Sequence, residues 1–233
     1  DGLGQLAAKQ LIKEGHQVVL HARNEQRAED AREAVPEAID TLIGDLSDRA
    51  ATKALADKIN AQGPFDAIIH NAGIYQGDGK RLAEVNTFAP YLLTALVKLP
   101  PRLIYLSSGL HSNGQAKLEQ LAGDCKGIGY GDTKFHILLL TKALARRYPS
   151  IKVNAVNPGW VPTKMGGAGA PDDLQKGCET QVWLATHPDA TASGQYYFHQ
   201  HPQAYNQAAD NEQLQDEFIK VCERVTGVKI REQ

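Results

Sequence analysis

Gly129-Tyr130-Gly131-Asp132-Thr133-Lys134, running on into Phe135-His136-Ile137-Leu138-Leu139-Leu140, is the stretch on which the reading of this chain turns. Leu138, Leu139, Ala143 and Leu144 recur at three-to-four spacing, and Arg146 and Arg147 stand near the end. The run therefore predicts a helix from Tyr130 to Arg147. Positions four apart share one face of a helix, so the Tyr130 phenol and the Lys134 ammonium can meet over the same patch. An unperturbed phenol has a pKa of about 10, and a nearby positive charge favours its phenolate. Bringing it to about 7 takes on the order of 4 kcal/mol. Such a group serves as an acid and base for a hydroxyl or carbonyl at neutral pH. An isolated Tyr-x-x-x-Lys is more often a solvated helix pair, so the surrounding sequence has to raise it.

The 233 residues are enough for one domain with a sizeable core. Hydrophobic residues make up 42% and charged residues 22%, ordinary for a globular chain, and the net charge of -2 includes no basic run to attract nucleic acid. The longest apolar stretch, from Thr87 to Leu99, contains Pro90 and is too short to cross a bilayer. Three cysteines (Cys125, Cys178, Cys222) lack metal-type spacing and read as buried thiols in a reducing compartment. His199 and His201 have no acidic or thiol partner nearby, so no metal is expected. With no charged-then-apolar leader, the expected setting is cytoplasmic.

Outward from Tyr130, strands and helices alternate. After Gly2-Leu3-Gly4 comes a helix that Gly15 ends, then a strand over Val18-Val19-Leu20 that leads to His21-Ala22-Arg23-Asn24. Further strands are read at Ile39–Ile43, Phe65–Ile69, Arg102–Leu106, Ile151–Val156 and Gln195–Phe198. Helices are read from Ser47 or Asp48 to Ala61, from Leu82 to Leu99 with a kink at Pro90, from Pro171 to Ala185, and over 210–226. This order predicts an α/β fold: a doubly wound parallel sheet with helices on both faces, in a single domain over 1–233. Arg23, Asp45, Asn71, Ser108 and Asn157 follow strand ends, where an open α/β sheet binds its ligand.

Together these features resemble the short-chain dehydrogenase/reductase family, and the match runs from Gly2 to about Phe198. Its elements come in family order: the glycine turn, Asp45, Asn71-Ala72-Gly73, Asn86, Ser108, Tyr130-x-x-x-Lys134, then Pro158-Gly159. The stretch between Ser108 and Tyr130, and the C-terminal helix, look like the retinol-dehydrogenase-like branch and its bacterial relatives. The resemblance implies a Rossmann-like fold and hydride transfer between a nicotinamide cofactor and a carbonyl or alcohol. It makes Tyr130 the acid–base group, with its pKa lowered by Lys134. Ser108 would hold the substrate oxygen, with Ser107 as its rival, and Asn86 would place a water behind Lys134. Gly2, Leu3, Gly4, Arg23, Asp45, Leu46, Asn71, Ala72, Gly73, Pro158, Gly159, Val161 and Thr163 would bind the cofactor with Tyr130 and Lys134. The second strand ends with no acid and with Arg23, which suits a 2′-phosphate, so NADP is expected over NAD.

The resemblance also has departures. The family's first strand and first glycine are missing, so the sequence reads as incomplete at its start. The span from Asn71 to Asn86 reads as short, with residues around Gly77-Asp78-Gly79-Lys80 omitted. Apolar excess on the helices over 82–99 and 130–147 suggests a homodimer or homotetramer. The small residues from Gly166 to Ala170 suggest a lid without one fixed conformation, carrying Trp160 and Met165 over the substrate, opposite Leu110, His111 and Tyr75. Those side chains imply a hydrophobic or aromatic aldehyde, ketone or secondary alcohol. The contrasting function is a non-catalytic NADP-binding regulator, whose mark would be loss of the Tyr or Lys.

Overall fold

The computed structural model describes residues 2–231; Asp1, which precedes the glycine turn, and Glu232 and Gln233 lie outside them. In chain order the elements are α1 (Gly2–Lys13), β1 (Val19–Ala22), α2 (Glu25–Ala34), β2 (Asp40–Ile43), α3 (Arg49–Gln62), β3 (Ala67–His70), α4 (Gly79–Ala83), α5 (Ala89–Leu96), β4 (Arg102–Leu106), α6 (Leu118–Ala122), α7 (Tyr130–Arg147), β5 (Lys152–Val156), α8 (Lys176–Thr186), β6 (Tyr196–Phe198), β7 (His201–Pro202) and α9 (Glu212–Thr226).

The expected α/β architecture is present, but the sheet is in two parts. β1 and β2 pair in parallel as one, and β3-β4-β5-β6-β7 form the other, parallel except for β7. No strand among the described residues joins them. Helices bridge the break instead. One apolar cluster unites Leu42, Leu55 and Ala56 with Val85, Ala89 and Leu93, and takes in Val19 from β1 and Ile68 from β3. Along β4, Leu103 and Tyr105 join the cluster of α5 and α7, while Ile104 joins that of α8. This is the period-two alternation of a strand covered on both faces.

Several boundaries differ from the sequence reading. The α2 helix was not expected, because only Ala28 is buried on it and it lacks an apolar stripe. It is set instead by Asn24, whose side chain accepts from the Arg27 N–H at its first turn. Helix α8 begins at Lys176 rather than Pro171. The 82–99 helix is broken ahead of Pro90. Glu84–Phe88 form a π-turn in which the Ala89 N–H reaches back to the Glu84 carbonyl. Proline has no N–H to return to the carbonyl of Asn86, so the extra residue is accommodated there. Gly79 starts α4 against the carbonyls of Cys125 and Ile128, with Asp78 accepting from the Arg81 N–H at 2.8 Å.

The apolar excess expected to be shared with a second copy is covered within the chain. Phe218, Ile219, Val221 and Cys222 of α9 are buried with Leu139, Leu140, Ala143 and Leu144 of α7. Arg146 and Arg147 of α7 both reach Asp216, at 2.6 and 3.0 Å. The chain after α9 is strapped down by the Tyr91 hydroxyl on the Val228 carbonyl (2.8 Å) and by the Tyr148 hydroxyl on that of Arg231. The apolar faces of α5 and α7 are thereby buried within the chain. No helix among the described residues is long and apolar enough to cross a membrane.

Candidate active site

The first turn of α7 is fixed by Asp132, which accepts from the Gly129 N–H (2.8 Å) and the Gln115 N–H (2.9 Å) and pairs with Lys117 (2.8 Å). A carboxylate in this position satisfies orphan amides and complements the helix dipole. The 3-10 turn Gly109–Asn113 lies against this helix start. A side chain on Gly131 would come within 2.8 Å of the Leu110 carbonyl, so the close approach requires glycine there.

That approach brings Ser108 to Tyr130. Ser108 follows β4 in extended conformation, its Oγ accepts from the Leu110 N–H at 3.2 Å, and its side chain stands near enough to the Tyr130 phenol to favour the phenolate. With the Oγ acceptor engaged by Leu110, its own proton is free for an oxygen in front of it. Ser107 turns the other way, is buried, and donates to the Lys134 carbonyl at 3.0 Å. Strand alternation separates the two serines, and Ser108 is the one that reaches the phenol.

Lys134 is buried, donates to the Leu106 carbonyl at 2.9 Å, and lies 5.4 Å from the centre of the Tyr130 ring. Burial lowers its pKa to about 8. The Tyr130 pKa is raised, to about 12, because burial outweighs the nearby Ser108 side chain. The expected lowering by Lys134 is therefore not seen. The ammonium approaches the ring face and spends a hydrogen bond on the backbone, so burial of the phenol is the larger effect.

Asn86 is buried in the π-turn ahead of α5. Its Oδ1 accepts from the Ile74 N–H (2.9 Å), and its Nδ2 donates to the Ile74 carbonyl (2.8 Å) and the Thr133 hydroxyl (3.1 Å). The carboxamide thereby clamps the segment after Gly73 onto α7. That clamp presents Tyr75, whose ring stands edge-on to Tyr130 at 4.8 Å and is 48% exposed. Leu110, Trp160 and Met165 are also exposed apolar side chains. His111 is not among them: it is buried, and its ring nitrogens are held by the Ser108 carbonyl and the Asn206 amide. It is a strut behind Ser108 rather than a pocket wall.

The other sequence-read residues fall into two groups. Gly2 lies by the Thr163 side chain and Gly4 by Asn71, where an added Cβ would stand 3.5 and 2.7 Å away. At Gly73 it would stand 3.3 Å from Asn86 Oδ1 and 3.4 Å from Lys134 Nζ. Leu3, Pro158 and Val161 meet around Gly177, which nothing in the local sequence marks as special. Ala72 is exposed. Farther off, Arg23 follows β1 and is exposed, with its charge near Asp45. The Asp45 carboxyl is held below its ordinary range chiefly by Ser47, which donates to it twice. Leu46 is buried with Leu42 and Leu55.

The segment after Gly159 buries little apolar surface and carries several side-chain hydrogen bonds. Asp172 accepts from the Trp160 N–H (2.5 Å), the Trp160 indole donates to the Gly166 carbonyl (2.8 Å), and the Thr163 hydroxyl accepts from the Gly166 N–H (3.2 Å). Hydrogen bonds supply what the small side chains cannot.

The short chain dehydrogenase family profile matches residues 1–173. The chain is 42% identical, over 99% of its length and 95% of the relative's, to "Uncharacterized oxidoreductase AN7799" of Emericella nidulans. It is 27% identical to human "Retinol dehydrogenase 14", over 84% of this chain and 74% of that one. A Mycobacterium paratuberculosis crystal structure superposes with a TM-score of 0.85 over 99% of this chain and 91% of its own, at 21% identity. A Shigella flexneri crystal structure complexed with NADP superposes with a TM-score of 0.67, at 26% identity over 86% of this chain and 93% of its own. This chain belongs to the short-chain dehydrogenase/reductase family and is an oxidoreductase of that family. Within it, the likeness to retinol dehydrogenase 14 supports the branch read from the sequence.

A dinucleotide fits the residues present. Among buried side-chain atoms, Asn71 Oδ1 has no hydrogen-bond partner, and it lies beside the glycine turn that starts α1. A helix start with unpaired amides next to an unsatisfied amide oxygen suits a pyrophosphate and a sugar hydroxyl.

Proposed function

We propose that the chain transfers a hydride between NADP and a hydrophobic or aromatic aldehyde, ketone or secondary alcohol. The observation that carries this reading is the placing of the Ser108 side chain by the Tyr130 phenol, beside the buried Lys134. When bound, the nicotinamide supplies or accepts the hydride. In the reducing direction, the Tyr130 hydroxyl delivers a proton to the substrate oxygen while the Ser108 hydroxyl donates to the same atom. A phenol with a raised pKa is fully protonated at neutral pH and suits that direction. Lys134, with one N–H on Leu106, keeps two others for the hydroxyls of a sugar. Asn86 holds Tyr75 and the Gly73 segment in place.

Arg23 at the end of β1, a strand end that carries no acid of its own, supports NADP over NAD, and the NADP-bound neighbour is in keeping with this. Tyr75, Leu110, Trp160 and Met165 support an apolar substrate. The three free, buried cysteines fit a reducing, cytoplasmic setting. As the working unit we propose the single chain rather than a dimer or tetramer. A change in NADPH fluorescence on mixing, followed by NADPH oxidation across a panel of aldehydes and ketones, tests the reading. No binding of NADPH or NADH would overturn it.

A further inference from the structure

We propose that His111 is a positioning residue for Ser108, aiming its hydroxyl from behind by tying the serine turn to the chain after β7. The inference rests on Ser108 and Tyr130 being the reacting pair.

The Ser108 carbonyl accepts two hydrogen bonds from one residue, the backbone N–H of His111 at 3.1 Å and its ring Nδ1 at 2.6 Å. A carbonyl carries no proton, so Nδ1 must be the protonated nitrogen. The other nitrogen, Nε2, faces the backbone N–H of Asn206 at 3.2 Å, which can only donate. One neutral tautomer satisfies both contacts, and neither the other tautomer nor the imidazolium does. Asn206 is itself held, through its Nδ2 on the Gly114 carbonyl (3.2 Å) and its Oδ1 under the Ala208 N–H (3.1 Å). The ring edge packs on Tyr196 at 4.6 Å, and the imidazole is buried. The chain is therefore continuous from the fixed 206–208 turn, through the imidazole, to the peptide that carries the Ser108 side chain.

Orienting that peptide orients Oγ. In front, it meets the Leu110 N–H within its own turn and stands by the Tyr130 phenol at the start of α7. Reaction rates are sensitive to small displacements of such groups. A histidine that merely joins two segments would act equally through either nitrogen. A positioning histidine acts through the nitrogen on Ser108.

The two nitrogens can be separated by substitution. His111→Asn keeps a donor at the δ position for the Ser108 carbonyl and gives up the tie to Asn206. His111→Gln keeps an acceptor at the ε position for Asn206 and gives up Ser108. The first readout is the Tyr130 Cζ resonance of cofactor-free protein labelled with ¹³C-tyrosine, which needs no turnover. His111→Gln should move it in the direction that Ser108→Ala moves it, and His111→Asn should leave it near the wild-type position. The second readout is turnover: His111→Gln should lose on the order of tenfold in kcat with its KM for NADPH unchanged, whereas His111→Asn should stay within about threefold. The proposal is overturned if the Gln and Asn variants match each other, or if Gln leaves the Tyr130 resonance unmoved. If the resonance behaves as described and no carbonyl compound turns over, the positioning role stands and the functional reading falls.

Discussion

The Lys134 ammonium approaches Tyr130 over its ring, 5.4 Å from the centroid, while its hydrogen bond goes to the Leu106 carbonyl. The lysine is thus a buried charge beside the ring, and that charge is expensive to keep. Burial takes the Lys134 pKa from 10.5 down to about 8. Between those two values the unfolded chain holds a proton that the folded chain has released, so stability rises with pH across the window and the cost of the charge is full below it. That cost is on the order of 3 kcal/mol.

Lys134→Met should therefore abolish turnover and yet raise the stability of the cofactor-free protein by about 1–2 kcal/mol at neutral pH, after allowance for an unpaired Leu106 carbonyl. It should also flatten the rise in stability from pH 8 to 10.5. Chemical denaturation at several pH values measures both effects. A variant less stable than the wild type at neutral pH would contradict this account of the lysine.

The two neighbouring serines should separate cleanly. Ser108→Ala removes the group that meets Tyr130 and should cost about 2–4 kcal/mol in kcat with little change in folding stability. Ser107→Ala strips the buried Lys134 carbonyl of a donor and should cost about 1–3 kcal/mol of stability. Steady-state rates with parallel denaturation curves check the split. Equal rate losses in both variants would return the serine role to an open choice.

Arg23→Ala should weaken NADPH by about 1.5–3 kcal/mol and leave NADH nearly unchanged, as for a lost charge-assisted contact to a phosphate. Fluorescence titrations with both cofactors decide the point, and equal losses would mean that Arg23 does not read the 2′-phosphate.

Because α9 covers α7, light scattering at micromolar concentration should give the mass of one chain, 25.3 kDa. Phe218→Ala, which empties a fully buried position between the two helices, should cost about 3–5 kcal/mol of stability. A stable dimer of the wild-type chain would show that another surface mediates assembly.

Much of this was legible in the sequence where the signal is local. The apolar spacing of α7, the strand before Ser107-Ser108 and the Asp48 cap of α3 all read out within a few residues of one another. Helix α2 escaped because it leans on propensity and an Asn24 cap, with almost no apolar face. The covering of α7 by α9 was invisible because an apolar stripe does not say what will bury it. His111 was misread for a related reason: its decisive partner, Asn206, is 95 positions away, and nothing nearby shows that the ring turns inward. The raised pKa of Tyr130 depends on how deeply the phenol is buried, which four-residue spacing does not encode.

The central claim is that the Tyr130 hydroxyl is the proton donor and acceptor of the reaction. The most direct test is the Tyr130→Phe variant, which removes one oxygen and keeps the ring against Tyr75. NADPH binding is followed by fluorescence, and turnover is followed with whichever carbonyl compound the wild type reduces. The account predicts binding within about twofold of wild type and a rate reduced by about 10²-fold or more. A Phe variant that binds NADPH and retains more than about a tenth of the wild-type kcat would contradict it, because the proton would then have to come from another group.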